Sequence, residues 1–278
     1  MSKREQALEE AVRMRESRGA AGAGALAKAA FPEALPEFEE SAGIIDLAKV
    51  NKHIACIFTD PYCPAAEEYK RIRTGILKST SKNFLNTIMF TSSQMGEGKT
   101  ITSLNLAVTM AKDIDHTVLL VDADLRNPSV HSYLGLTPKK GLSDYLSGKA
   151  RLSEVIFRTG IGKLAVLPAG EPPDNPSELL SSEKMRVLIT ELKHRYKDRY
   201  VLFDTPPLLA AAEPLSMARY VDGIVFVIQA ARTSPKIVAR AVSLMKDFTV
   251  FGVVLNNVPS YLSRITHPSY NYRRLEKA

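Results

Sequence analysis

Cysteine is scarce in this chain: Cys56 and Cys63 are the only two among 278 residues. They are too few and wrongly spaced for a zinc site or a CxxC redox pair, so both read as reduced thiols. No apolar run approaches the roughly 18 to 20 residues that cross a bilayer. No short apolar signal region follows a basic start either, since the N-terminus carries charges of both signs. A cytoplasmic location is therefore expected. No segment recurs later in the chain, which excludes a repeat architecture. An extreme charge is also missing. The formal net charge of +7 is moderate; solubility accounts for it, and an anionic partner surface is allowed but not demanded. No nucleic-acid partner is expected.

What is present is an ordinary globular composition, 45% apolar and 24% charged, in a chain long enough for one substantial core. It is organised around Thr91-Ser92-Ser93-Gln94-Met95-Gly96-Glu97-Gly98-Lys99-Thr100. The apolar run 87–90 leads in, and Ile101, Leu104, Val108 and Ala111 follow at helical spacing. A strand, a Gly-containing turn ending in Gly-Lys-Thr and a helix make a phosphate-binding loop unit. Gly96 and Gly98 let backbone N–H groups turn inward around phosphate oxygens, where the helix N-terminus adds positive partial charge. Lys99 would reach the β- and γ-phosphates, and the Thr100 hydroxyl would ligate Mg²⁺. Ser93 stands where the first Gly of the full G-x-x-x-x-G-K-[ST] pattern belongs. The plainer alternative is a Gly-rich turn capping an ordinary helix.

Around this centre the chain falls into three parts. Residues 1–43 combine a polar helix, an Ala/Gly-rich stretch and an acidic, Pro-broken stretch, and read as a tether of low order. Residues 44–258 are globular, and 259–278 form a basic, tyrosine-containing tail. Within the globular part a strand is expected at 51–58 and an amphipathic helix at 65–77. Strands are expected at 117–121, 163–167, 200–203 and 223–228, with a last central strand at 251–255. Helices are expected at 141–146, 152–156, 176–197 and 235–247. Apolar strands alternating with helices predict an α/β fold, a mainly parallel sheet covered on both faces. Ligands of such sheets sit beyond the carboxyl ends of the strands. The phosphate loop, Asp122 and Asp204 all fall there. A carboxylate closing a buried strand costs desolvation unless a cation compensates, and a Mg²⁺–nucleotide beside Lys99 would do so. Either Asp alone reads better as an N-cap or turn residue; two of them flanking a phosphate loop favour the site.

The set TSSQMGEGKT, VLLVDADLRNP and YVLFDTPP resembles the Walker A, A′ and B signatures of bacterial tyrosine kinases, on the P-loop NTPase fold shared with partition and division-site ATPases. The resemblance is greatest to the free-standing cytoplasmic type found with exosortase-type polysaccharide loci, and runs from about residue 44 to 259. It implies an ATP- and Mg²⁺-dependent protein-tyrosine autokinase serving exopolysaccharide or capsule biosynthesis and export. The implied nucleotide-binding residues are Gly96, Glu97, Gly98, Lys99, Thr100, Ile101 and Asn256. Thr100, Asp122 and Asp204 would organise the metal, Asp204 through a water. Lys99, Asp122 and Asp204 would be catalytic, Asp122 also taking the tyrosine proton, with Asp124 and Arg126 supporting that shell.

The segment Glu67-Glu68-Tyr69-Lys70-Arg71-Ile72-Arg73 resembles the family's E-x-x-R-x-x-R helix, which implies ring assembly through Glu67, Lys70 and Arg73. Lys70 replaces the first Arg, keeping charge but losing the bidentate fork; a solvated helix face is the other reading of these charges. Met95 replaces the usual Pro before GEGK. Only Tyr261, Tyr270 and Tyr272 follow the last strand, where the family often has a dense tyrosine cluster. Phosphoacceptor sites and mere surface residues are both open readings of the three. The implied partners are further copies of the chain, a membrane polysaccharide co-polymerase as activator and a tyrosine phosphatase, with the kinase peripheral at the inner face of the plasma membrane. The rivals are a partition- or division-type ATPase and a nucleotide-gated regulatory subunit without kinase activity. Against the first, Gln94 stands where those ATPases carry a signature lysine.

Overall fold

The apolar runs at 87–92, 117–122 and 199–204 are strands buried on both sides, which is why they lack polar alternation. The computed structural model describes residues 49–51, 54 and 63–259. The helix α1 (Pro64–Thr80) leads into β1 (Thr87–Ser92), α2 (Lys99–Ala111) and β2 (Thr117–Asp122). Three short helices follow, α3 (Val130–Tyr133), α4 (Leu142–Leu146) and α5 (Leu152–Val155), then β3 (Phe157–Arg158) and β4 (Leu164–Leu167). Next come α6 (Pro176–Leu180), α7 (Glu183–Arg195) and β5 (Arg199–Asp204). The described elements close with α8 (Glu213–Met217), β6 (Gly223–Gln229), α9 (Pro235–Leu244) and β7 (Val250–Asn256).

The seven strands lie in the order β3-β4-β2-β5-β1-β6-β7. Every neighbouring pair is parallel except β3–β4. On one face Ile88, Phe90, Val118, Leu120, Leu202 and Val227 join Leu104, Ala107 and Val108 of α2 in one core. The residues between them, such as Met89, Leu119, Val201 and Phe203, are buried too. The α7 side chains Met185, Leu188, Ile189 and Leu192 are likewise buried, so both faces are covered as expected. The sheet brings β1, β2 and β5 side by side, with Asp122 paired in register to Asp204 and Phe90 to the same Asp204. All three C-terminal ends therefore open onto one place.

Several expectations need correction. The helix expected over 176–197 is two helices, because Ser182 adopts an extended conformation and starts a new one. Its hydroxyl accepts from Met185 N and donates to Leu179 O (2.7 Å), a side-chain contest that favours caps over helix interiors. Among the described residues the last strand is an edge rather than a central strand, with Val253 59% and Leu255 56% exposed. The strand expected at 51–58 falls mostly outside the described residues, and Ile54 within it is helical. The two-residue β3 and the short α3 and α8 have too few residues to show a period in sequence. The expected tether, and the tail with Tyr261, Tyr270 and Tyr272, lie outside the described residues. No described helix is long and apolar enough to cross a membrane.

Candidate active site

The phosphate loop is held from behind by its own acid. Glu97 is buried, and its carboxylate accepts from Gln94 N (2.9 Å) and from the Thr233 hydroxyl just before α9. Glu97 thus braces the loop from inside, leaving only its backbone for a ligand. Asn256, the last residue of β7, donates from Nδ2 to Glu97 O (3.0 Å). Gly96 and Gly98 have φ of +82° and +90°, the left-handed region that a side chain disfavours. At Gly98 a Cβ would also stand 1.9 Å from Asn256 Nδ2. Gly98 caps α2 without any side chain, so the first-turn N–H groups have no side-chain acceptor from their cap. Ile101, in that first turn, is half-buried.

Lys99 and Thr100, the first residues of α2, meet the acids of the two neighbouring strands. Lys99 Nζ donates to Asp124 Oδ2 at 2.8 Å and lies 3.9 Å from Asp204 Oδ2. The Thr100 hydroxyl donates to Asp204 Oδ2 at 2.6 Å, and Ser129 Oγ lies 3.3 Å from it. Asp122 accepts from Asp124 N (3.2 Å), Ser129 N (3.1 Å) and Val130 N (3.1 Å). Asp124 Oδ1 accepts from Asn127 N (3.1 Å). Asp204 Oδ1 is buried with no hydrogen-bond partner of good geometry, and the nearby Ser103 hydroxyl donates to Thr100 O (3.0 Å).

Three carboxylates crowd around one lysine here. Burial first, then the Asp204 charge, pushes the Asp122 carboxyl up to about 8, against the pull of its backbone donors and Lys99. Burial likewise raises Asp204, with Lys99 and Thr100 opposing. Burial works against the Lys99 charge, but Asp204 and Asp124 outweigh it and leave the amine raised. The pocket is short of positive charge.

Arg126 turns away from these acids. Its Nε donates to Glu213 Oε1 (2.7 Å) and its Nη2 to Ser177 Oγ (3.0 Å). Glu213, Ser177, Ser129 and Thr233 carry no site motif in the sequence. Pro176-Ser177-Glu178 and Glu213-Pro214 carry ordinary helix-start chemistry, which conceals any other role. The proposed assembly residues lie elsewhere, on α1. Lys70 Nζ pairs with Glu67 at 2.7 Å along the helix, and Arg73 Nη1 reaches Thr109 O (3.3 Å) and Asp113 (3.7 Å) of the same chain.

A parallel sheet with this loop and acids at its C-terminal ends defines a P-loop NTPase, a nucleotide-binding fold. Comparison agrees: the AAA domain family matches residues 85–248. The Pyrococcus horikoshii septum-site protein MinD, solved with Mg-ADP, shares the fold at a TM-score of 0.52 and 23% identity, covering 65% of this chain and 76% of that one. Nearer relatives narrow the class. The tyrosine-protein kinase YwqD of Bacillus subtilis is 36% identical over 216 residues, 77% of this chain and 88% of that protein. The kinase domain of Escherichia coli tyrosine kinase ETK superposes with a TM-score of 0.70 at 31% identity, covering 76% of this chain and 81% of that domain. The chain belongs to the bacterial tyrosine kinase family, the tyrosine-protein kinases associated with capsule and exopolysaccharide production. Its activity is protein-tyrosine phosphorylation, and the positioning-ATPase alternative is not favoured.

Proposed function

We propose that this chain binds Mg²⁺–ATP at the Lys99–Asp204 site and transfers the γ-phosphoryl group to tyrosines of its own C-terminal tail. The observation that carries the reading is the buried, unpartnered Asp204 Oδ1 beside the Thr100 hydroxyl at the start of α2. A buried carboxylate oxygen with no donor is an acceptor awaiting a positive partner. Mg²⁺ is held by one or two carboxylates and the substrate phosphates rather than by protein alone, and the orphaned oxygen beside the Thr100 hydroxyl fits that need: Thr100, Asp122 and Asp204 would hold the ion, Asp204 through a water. When bound, Mg²⁺ neutralises charge on the phosphates.

The chain's own groups do the rest. Lys99 leaves Asp124 for the phosphates, and the backbone of Gly96, Glu97, Gly98, Thr100 and Ile101 surrounds them, with Asn256 at the rim. Asp122 receives the proton of the attacking tyrosine hydroxyl as its oxygen forms the new P–O bond and ADP leaves with the electrons of the old one. Positioning and electrostatics supply most of such a rate enhancement.

The division into residues 1–43, 44–258 and 259–278 follows from this reading, with Tyr261, Tyr270 and Tyr272 as acceptors. Assembly uses Glu67, Lys70 and Arg73, a membrane polysaccharide co-polymerase activates the kinase at the inner face of the plasma membrane, and a tyrosine phosphatase resets it. Two measurements test the reading. Titration with fluorescent ADP should show Mg²⁺-dependent binding that Asp204→Asn weakens; equal binding with and without the ion refutes the metal site. Mass spectrometry after incubation with Mg²⁺–ATP, with and without a cytoplasmic co-polymerase peptide, should place phosphate on 261, 270 and 272. Phosphate mainly on Tyr62, Tyr69 or Tyr145 refutes a tail-directed kinase.

A further inference from the structure

Arg126 follows Asp124 by two residues and Asp122 by four, in a pocket that is short of positive charge. An unrestrained guanidinium there would be drawn onto the acids. Instead Nε and Nη2 go to Glu213 Oε1 (2.7 Å) and Ser177 Oγ (3.0 Å), and the Ser177 hydroxyl donates to the same Glu213 oxygen (2.9 Å). Three separate segments meet in this clasp: the loop after β2, the first turn of α6 and the first residue of α8. Glu213 is only 1% exposed, whereas the Arg126 side chain is 46% exposed. A fully buried acid is thus paired to a half-exposed cation, so its burial serves to hold the arginine rather than to fill a core. Glu213 Oε2 is buried without a partner, so the carboxylate keeps acceptor capacity for a second guanidinium N–H.

We propose that Glu213, with Ser177 beside it, is a positioning residue for phosphotransfer. It parks the Arg126 guanidinium at the rim of the nucleotide site, off Asp122, Asp124 and Asp204. The carboxylates stay available to Lys99 and to Mg²⁺, and the free N–H groups of Arg126 stay available to the phosphoryl group in transit. This rests on the kinase reading above for its second half only. The first half is a statement about competition between Arg126 and a cation, and can be read from binding alone. Glu213 acts through Arg126 and touches no reacting atom.

The test is a double-mutant cycle on the full chain, read by Mg²⁺-dependent binding of a fluorescent ADP analogue and separately by phosphotyrosine formation. Glu213→Gln keeps the shape and removes the charge. It should raise the Mg²⁺ concentration for half-maximal ADP binding at least fivefold, because the released arginine competes for the acids. Glu213→Asp should recover part of that loss. The decisive variant is Arg126→Ala/Glu213→Gln, in which nothing remains to be parked. Its Mg²⁺ dependence should return to within twofold of the unaltered chain, while its phosphotyrosine yield stays at least tenfold down. A merely structural Glu213 would leave the double variant as impaired in Mg²⁺ dependence as Glu213→Gln, and that result overturns the proposal. So does an unchanged Mg²⁺ requirement in Glu213→Gln. If that variant does not fold, Ser177→Ala takes its place, with a smaller shift in the same direction that Arg126→Ala again removes; no shift, or no removal, counts against the proposal. An unaltered chain that binds Mg²⁺–ADP but never forms phosphotyrosine defeats the kinase reading, and the binding cycle still decides the parking.

Discussion

Gly98→Ala concentrates the physics of the phosphate loop in one methyl group. The backbone at this position has φ +90°, which costs an L side chain about 1–2 kcal/mol. The new Cβ would also stand 1.9 Å from Asn256 Nδ2 and 3.1 Å from its Cγ, so the amide must move. Moving it breaks the 3.0 Å bond to Glu97 O, and an unpaired buried carbonyl costs about 1–3 kcal/mol. The sum is roughly 2–5 kcal/mol, a large share of the 5–15 kcal/mol that typically stabilises a domain. Urea unfolding of the nucleotide-free chain measures it directly. Asn256→Ala isolates the second part. It loses the same bond and leaves room for the methyl, so the two substitutions together should cost at least about 1 kcal/mol less than the sum of the singles. A Gly98→Ala chain within about 0.5 kcal/mol of the unaltered one, or strict additivity in the double variant, would refute the reasoning.

Three further outcomes follow from other contacts. Asp222 Oδ2 accepts from Asn86 N, Thr87 N and Thr87 Oγ1 at 3.0, 3.0 and 2.7 Å while Lys193 pairs with Oδ1, so Asp222→Ala should cost about 3 kcal/mol in urea unfolding. Burial opposes the Asp222 charge, but Lys193 and Thr87 outweigh it and hold the carboxyl below its ordinary value. Its stabilisation is therefore complete above the unfolded Asp pKa of about 3.9 and is lost as pH falls through the lower folded value; a gap between variant and parent that stays constant from pH 6 to pH 2 contradicts this. Thr233→Val removes the hydroxyl that donates to buried Glu97 and should cost about 1–3 kcal/mol, with Thr233→Ser restoring most of it; equal losses in both variants would show that the methyl, not the hydroxyl, matters. Reversing the charges of Glu67 and Arg73 should leave a monomer in sedimentation, with circular dichroism checking the fold because Arg73 also binds Thr109 O and Asp113; an unchanged mass rejects the assembly role.

The strand–turn–helix unit around the phosphate loop was legible in the sequence because its signals are local. Gly96-Glu97-Gly98-Lys99-Thr100 needs only a strand before it, legible as a short apolar run, and a helix after it, legible from apolar residues at helical spacing. Asp122 and Asp204 were legible because a carboxylate closing an apolar run is costly without a purpose. What stayed hidden depends on partners far apart in the chain. Glu213 reads as the first acid of a short helix until Arg126 and Ser177 are seen against it. Glu97 reads as a loop residue until Thr233 and Asn256 meet it from the β6 and β7 side. The break at Ser182 turns on one hydroxyl choosing between helix interior and cap. The edge position of β7 is a matter of strand order, which the apolar content of 251–255 does not encode.

The central claim is that Lys99 works on phosphate rather than in packing. It is tested most directly by incubating the purified full chain and its Lys99→Met variant with Mg²⁺–ATP and quantifying phosphotyrosine. Loss of this stabilisation is worth several kcal/mol, so the variant should keep its fold by circular dichroism and lose at least about a hundredfold in phosphotyrosine formation. A folded Lys99→Met chain that forms phosphotyrosine at the rate of the unaltered one would contradict the account.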